Sequence, residues 1–275
     1  MRAIPWKLNQ VDHGAEYWHP PGFSAKDGPW QRFLGAVRRI LDLQAGSIWA
    51  DLKPLFGAIN GAVLDVGCGA QPYRRLLPPH VQYIGIDRAD AKEHFGYETP
   101  DTIYFNGETW PVLDQSVDVL LCTETLEHVL TPEKFLAEAR RCLRPGGRLI
   151  LTVPFAARWH FVPHDYWRFT PSSLKHLMDQ AHFEGVEIYA RGNPLTVACY
   201  KAMALLLPLL LSHCDRPSVR WMLRLVGVLT LPLLGVLALV GTVSLRSDWG
   251  EDCLGYTLVA ERGRAENESP ATRAA

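Results

Sequence analysis

Residues 63–73 read VLDVGCGAQPY: a short apolar run, two closely spaced glycines, then residues that can open a helix. Gly67 and Gly69 let the backbone come close to a ligand and take up angles closed to other residues. A strand that ends in such a turn commits the chain to an alternating pattern, and the pattern is present. Short β-branched or aromatic runs with turn residues at their ends lie at Ala62–Val66, Tyr83–Asp87, Thr102–Phe105, Val117–Cys122 and Arg148–Val153. Helices fit between them at Tyr73–Leu77 and Pro132–Cys142. The second of these has Thr131 as N-cap, Pro132 at the first helical position and Glu133 in the first turn. Thr170-Pro171-Ser172 repeats the device for a helix to about Ala181. Strands follow at Val186–Ala190 and Tyr256–Ala260. Alternating strands and helices imply an α/β fold with a mostly parallel sheet and helices on both faces.

Before this pattern, residues 1–28 are rich in Pro, Gly, His and aromatics and read as an irregular arm. Trp30–Phe56 reads as two helices broken near Gly46-Ser47. With 28 Lys plus Arg against 29 Asp plus Glu, the net charge is −1, so no nucleic-acid partner is expected. The six cysteines show no CxxC spacing, so no metal site or redox motif is indicated. Scattered free cysteines fit a reducing cytosol. The opening MRAIPWKLNQ has no apolar core of signal-peptide length, so export is not expected.

Ligands of such sheets sit at the carboxyl ends of the strands. Asp87 ends the second strand, where a carboxylate can accept bonds from two ribose hydroxyls. A dinucleotide fingerprint needs GxGxxG, and here the last glycine is Pro72. VLDVGCG, YIGID, VDVLLCTETLEHV and LRPGGRLILTVP follow in order over roughly 60–155. In these the chain resembles the class I S-adenosylmethionine-dependent methyltransferases of the broad "type 11" kind. That resemblance implies a Rossmann-like seven-stranded sheet with an antiparallel last strand. It implies S-adenosyl-L-methionine as cofactor, with Asp65, Gly67 and Gly69 lining its methionine part. Asp87 would hold the ribose with Arg88 beside it. Asn106 stands where the family has an Asp that contacts the adenine amino group. The third glycine of the family's loop is replaced by Gln71.

Methyl transfer needs alignment of nucleophile, carbon and sulfur, and a hydroxyl acceptor also needs a general base. His128, after the fourth strand, is one candidate. The others crowd into PFAARWHFVPHDYWRFTP (154–171), after the fifth. There His164 stands next to Asp165, and a His beside an Asp can be oriented and kept basic. His160, Tyr166 and Trp167 can wall a sugar or ring, and Arg168 can grip a carboxylate or phosphate. Alternatively Asp165 and Arg168 form an internal ion pair. PHDYWRFT resembles methyltransferases of bacterial surface polysaccharides and sugars. HGAEYWHPPG (13–22) is a candidate lid.

Residues 225–245, LVGVLTLPLLGVLALVGTVSL, carry no charge and are flanked by Arg224 and Arg246. A second apolar stretch covers 195–211, interrupted by Lys201. Both fall between the last two strands, so a single crossing of a membrane would separate the last strand from its sheet. The expectation is a helical hairpin that lies on or dips into the cytosolic leaflet. Arg216, Arg220 and Arg224 share one helix face at the headgroups, with Trp221 beside them. A homodimer interface is the alternative.

The expected organisation is an N-terminal arm and helices (1–60), a cofactor-binding core (61–191), an apolar hairpin insert (192–250), the last core strand (251–262) and a disordered tail (263–275). The expected activity is methyl transfer, at oxygen, to a small-molecule, sugar or lipid-linked acceptor at the cytosolic membrane face. The alternatives are a soluble metabolite as acceptor, with the insert used for dimerisation, or a non-catalytic cofactor-binding scaffold.

Overall fold

The computed structural model describes residues 28–91, 98–210 and 216–264. The expected lid at 13–22 and most of the expected tail lie outside them. Helices α1 (Pro29–Leu41) and α2 (Leu43–Phe56) come first. The break between them is at Asp42, not at Gly46-Ser47. The Asp42 side chain accepts from Ala45 N and so starts α2. Gly46 lies inside α2, where a Cβ would collide with the Arg39 carbonyl, so this glycine serves close packing of the two helices.

The strands are β1 (Ala62–Val66), β2 (Gln82–Arg88), β3 (Thr102–Phe105), β4 (Val117–Thr123), β5 (Leu143–Pro154), β6 (Phe183–Arg191) and β7 (Gly255–Arg262). They form one seven-stranded sheet in the order β3-β2-β1-β4-β5-β7-β6. The first five are parallel, and β7 runs antiparallel between β5 and β6. Both faces are covered, which explains strands that are apolar at successive positions. Leu64, Leu120 and Leu149 pack on one face with Phe135 and Leu136 of α3 (Pro132–Cys142) and Leu174 of α4 (Pro171–Gln180). Their neighbours Val63, Leu121 and Ile150 pack on the other with Ile48, Leu52 and Phe56 of α2. Thr170 and Ser173 form a reciprocal capping box at the start of α4. Thr131 precedes α3 as expected but makes no side-chain cap bond.

The helix expected over 73–77 is a single 3₁₀ turn, Arg74–Leu76. Leu77 precedes Pro78, which pushes it to extended backbone (φ −72°, ψ 142°) and stops the turn.

Between β6 and β7 the chain forms three helices rather than a hairpin of two: α5 (Pro194–Leu210), α6 (Pro217–Leu229) and α7 (Leu231–Ser244). The run 225–245 breaks at Thr230, and Pro232 falls in the first turn of α7, where its missing N–H costs nothing. Val197, Cys199 and Met203 of α5 and Leu234 and Ala238 of α7 pack on Leu43 and Leu254. Buried Asn193 ties the two ends of the insert together. Its Oδ1 accepts from Leu195 N and Thr196 N, and its Nδ2 donates to Ser244 O (2.7 Å) and Ser247 O (2.9 Å). Asn193→Ala is expected to lower stability by about 1–3 kcal/mol, the cost of stranding buried partners, as read by chemical denaturation.

Candidate active site

The carboxyl ends of β1 and β2 form a cradle. Gly67 (φ +67°) and Gly69 (φ +52°) both lie in the left-handed region, and a Cβ on Gly67 would collide with the Thr125 side chain. Gln71 adopts φ +54°, so it supplies without a glycine the backbone turn that the third glycine of such loops would give. It is held there by bonds from its amide to Thr102 Oγ1 (3.1 Å) and Asp101 Oδ1 (3.2 Å).

Asp87 is buried and accepts from Gly69 N (2.9 Å) and Arg88 N (2.8 Å). Burial raises its pKa, against the pull of those two bonds. The Arg88 side chain turns to Asp90 in a bidentate pair. Asp65 is 1% exposed. Its Oδ2 accepts from Tyr83 Oη (2.7 Å), and its Oδ1 is buried without a hydrogen-bond partner among the described residues. Burial pushes its pKa up to about 7; the Tyr83 bond opposes this and Asp87 adds to it. Asn106, after β3, is exposed.

A second cluster stands on the β4 and β5 ends, joined to the cradle by Thr125, whose hydroxyl reaches Gly67 O (3.4 Å). Glu124 is the turning point, with φ +48°. A non-glycine residue held there carries local strain of about 1–3 kcal/mol, which its surroundings must offset. The turn buries Glu127 completely, and neither of its carboxylate oxygens has a hydrogen-bond partner among the described residues. Burial first, then the nearby Glu124 charge, raise its pKa well above the carboxylate range. The Glu127 carbonyl accepts from Tyr166 N (2.9 Å), which docks the second loop on the first. His128 Nδ1 donates to the His164 carbonyl (2.9 Å), and its Nε2 lies 3.7 Å from Glu127 Oε1. Burial and then the neighbouring His160 lower the His128 pKa to about 4, so the ring is neutral at physiological pH.

Asp165 does not orient His164. Its partners are His160, at N (3.0 Å) and Nδ1 (3.0 Å), and Arg168, whose fork meets both oxygens at 2.6 and 2.7 Å. Burial alone would raise the Asp165 pKa, but Arg168 and His160 hold it well below the usual range. Arg168 also donates to Trp167 O and Arg158 O, so it builds the loop from within. The His164 ring instead meets Tyr166 Oη (3.3 Å), and Trp167 Nε1 donates to Val129 O (2.9 Å). The Tyr166 and Trp167 rings are both exposed.

One ion pair at this edge carried no local signal in sequence. Arg191, at the end of β6, is fully buried and donates to Glu124 Oε1 (2.7 Å) and Val153 O (2.9 Å). Gly255 is required opposite it, because a Cβ there would collide with the guanidinium. The insert therefore leaves the sheet at the edge that carries the site.

Residues 64–151 match the family model described as "Methyltransferase domain". An uncharacterised methyltransferase of Mycobacteroides abscessus is 30% identical over 44% of this chain and 50% of its own length. The ubiquinone biosynthesis O-methyltransferase of Maricaulis maris is 30% identical over 50% of this chain and 56% of its own. The chain thus spans about half the length of these relatives. Among solved structures, a SAM dependent methyltransferase from Archaeoglobus fulgidus superposes with TM-score 0.50 and 16% identity, covering 85% of this chain and 100% of that one; this likeness concerns the fold alone. The fold and the family match define a class I S-adenosylmethionine-dependent methyltransferase domain.

Proposed function

We propose that the protein moves a methyl group from S-adenosyl-L-methionine to an oxygen of a small-molecule, sugar or lipid-linked acceptor at the cytosolic face of a membrane. The observation that carries this is the cradle. Two left-handed glycines lie between a buried, half-partnered Asp65 and an Asp87 already held by two amides. Asp65 Oδ1 suits the methionine ammonium, and Asp87 retains lone pairs for the ribose hydroxyls. The bound cofactor supplies an activated methyl on a sulfonium. The chain's part is to align the acceptor oxygen with the methyl carbon and let the oxygen's proton leave. The Glu127, His128 and His160 groups lie one loop from Gly67, where such an oxygen would stand.

Cofactor binding should titrate with Asp65. Only the ionised carboxylate pairs with an ammonium, so affinity is full above a pKa of about 7 and is lost as the pH falls through it. S-adenosylhomocysteine, which keeps that ammonium, should bind about tenfold more weakly at pH 6 than at pH 8 by calorimetry. A flat profile would remove Asp65 from the cofactor site.

The membrane part of the reading rests on what the insert exposes. Trp221, Met222, Leu225 and Leu229 of α6 and Leu233, Val236, Leu239 and Val243 of α7 are all exposed. Among the described residues no single helix is long and apolar enough to cross a membrane, whereas α6 and α7 pass together as a pair bent by 50°. This arrangement favours lying along a leaflet. Trp221→Asp with Leu225→Asp should lower flotation with anionic phospholipid vesicles at least about tenfold. Equal flotation of the variant would count against docking.

The deciding experiment incubates membranes and cytosol from producing cells with methyl-labelled cofactor, with an Asp87→Ala protein as blank. Asp87-dependent label in the organic extract supports a lipid-linked acceptor. Label confined to the aqueous phase points to a soluble one, and no label above the blank removes the enzymatic reading for those extracts.

A further inference from the structure

The second cluster holds more than a base would need. Glu127, His128 and His160 each bring one ligand atom to a common point, all within 4.8 Å of one another. They come from different places: two from the turn after β4, one from the loop after β5. A carboxylate at 0% exposure with neither oxygen hydrogen-bonded among the described residues is costly, by several kcal/mol when ionised. A cation between it and the two rings removes that cost. The outer contacts are those that metal-bound histidines need. His160 Nδ1 faces Asp165 Oδ2 and Arg158 O, both at 3.0 Å, while His128 Nδ1 faces His164 O at 2.9 Å. Each bond keeps the proton on Nδ1 and leaves the lone pair on Nε2, and Arg168 in turn fixes Asp165.

We infer that Glu127, His128 and His160 form a binding site for a divalent transition-metal ion that holds the oxygen atoms of the methyl acceptor. Two imidazoles and one carboxylate suit zinc, cobalt, iron or manganese better than calcium or magnesium. The absence of CxxC spacing says nothing about such a site, because no cysteine takes part in it. Bonds of about 2.1 Å put neighbouring ligand atoms of a six-coordinate ion about 3.0 Å apart, so a bound ion draws together three atoms that stand within 4.8 Å of one another, Glu127 and His128 already at 3.7 Å. Three protein ligands leave a six-coordinate ion three open positions. An acceptor with oxygens on adjacent carbons, a vicinal diol or a catechol, would fill two of them. In the transfer the acceptor O–H loses its proton to solvent, the oxygen forms the new bond to the methyl carbon, and the carbon–sulfur bond breaks with its electron pair kept by sulfur. The binding stands apart from the methyltransferase reading; only the role of the ion rests on it.

The test uses the full chain, stripped with a chelator and titrated with Co²⁺ and Zn²⁺ by calorimetry and, for Co²⁺, by visible absorption. One ion per chain is expected. His160→Asn, on an outer loop, and Glu127→Gln should each weaken binding at least about tenfold, and Asp165→Asn by about 10–100-fold through loss of its hold on His160. Affinity for S-adenosylhomocysteine, measured on the same samples, should not change with His160→Asn. Lost S-adenosylhomocysteine binding with metal binding intact would be a failure of the methyltransferase reading alone. Failure of Co²⁺, Zn²⁺ and Mn²⁺ to saturate, or binding indifferent to His160→Asn and Glu127→Gln, overturns the site. A catechol probe should perturb the Co²⁺ spectrum where a monophenol does not; equal responses overturn the proposed acceptor class.

Discussion

Asp87→Ala is expected to weaken S-adenosylhomocysteine binding by about 100-fold or more and to abolish methyl transfer. A hydrogen bond to a charged group contributes about 1.5–3 kcal/mol, and a ribose offers two hydroxyls to this one carboxylate. The same carboxylate accepts from Gly69 N and Arg88 N, so its loss also loosens the loop that presents Gly67 and Gly69. Asp87→Asn separates the two effects. Its single acceptor oxygen retains one amide bond, yet it brings no negative charge to the ribose. Calorimetry should then show most of the affinity lost with the melting temperature nearly kept. Unchanged affinity in both variants would mean that the cofactor does not use the end of β2.

Arg191→Ala should have the largest effect on folding, about 3–5 kcal/mol. The guanidinium is buried and joins three elements of the sheet, through Glu124 after β4, Val153 of β5 and its own β6, while Nη1 reaches Ser47 Oγ of α2 at 3.3 Å. Removing it takes from Glu124 its hydrogen-bonded cation and leaves that charge beside Glu127, in a region where burial has already made charge costly. At about 2–4 °C per kcal/mol for a chain of this size, the melting temperature should fall by roughly 6–20 °C. Arg191→Lys should recover little, since an ammonium cannot reproduce the planar fork whose Nη2 meets Glu124 and Val153 O while its Nη1 reaches Ser47 Oγ. A shift of a degree or two would show the ion pair to be incidental.

The seven strands and the glycine cradle were legible because their signal is local. Paired apolar positions such as Val63 and Leu64, or Leu120 and Leu121, mark strands buried on both faces, and glycines mark the turn. What escaped depends on partners far away in sequence. Arg191 meets Glu124 across 67 positions, so neither residue looks special alone. The adjacency of His164 and Asp165 suggested a pair, but the loop turns back and gives Asp165 to His160 and Arg168. The apolar run at 225–245 read as one arm of a hairpin, whereas the chain divides it into two helices at Thr230, just before Pro232. Gln71 in a left-handed turn was legible only as a missing glycine, since its conformation rests on Asp101 and Thr102 beyond the next strand.

The order of strands carries a consequence for biosynthesis. Among the described residues β6 pairs only with β7, and β7 is made after the whole insert. At about 5–20 residues per second, a ribosome needs roughly 3–13 s to travel from the end of β6 to β7. Throughout that interval β5 offers an open edge, β6 has no ladder, and the insert helices with their apolar surfaces are the next to emerge. The nascent chain therefore meets whatever can cover those helices before its catalytic sheet is closed.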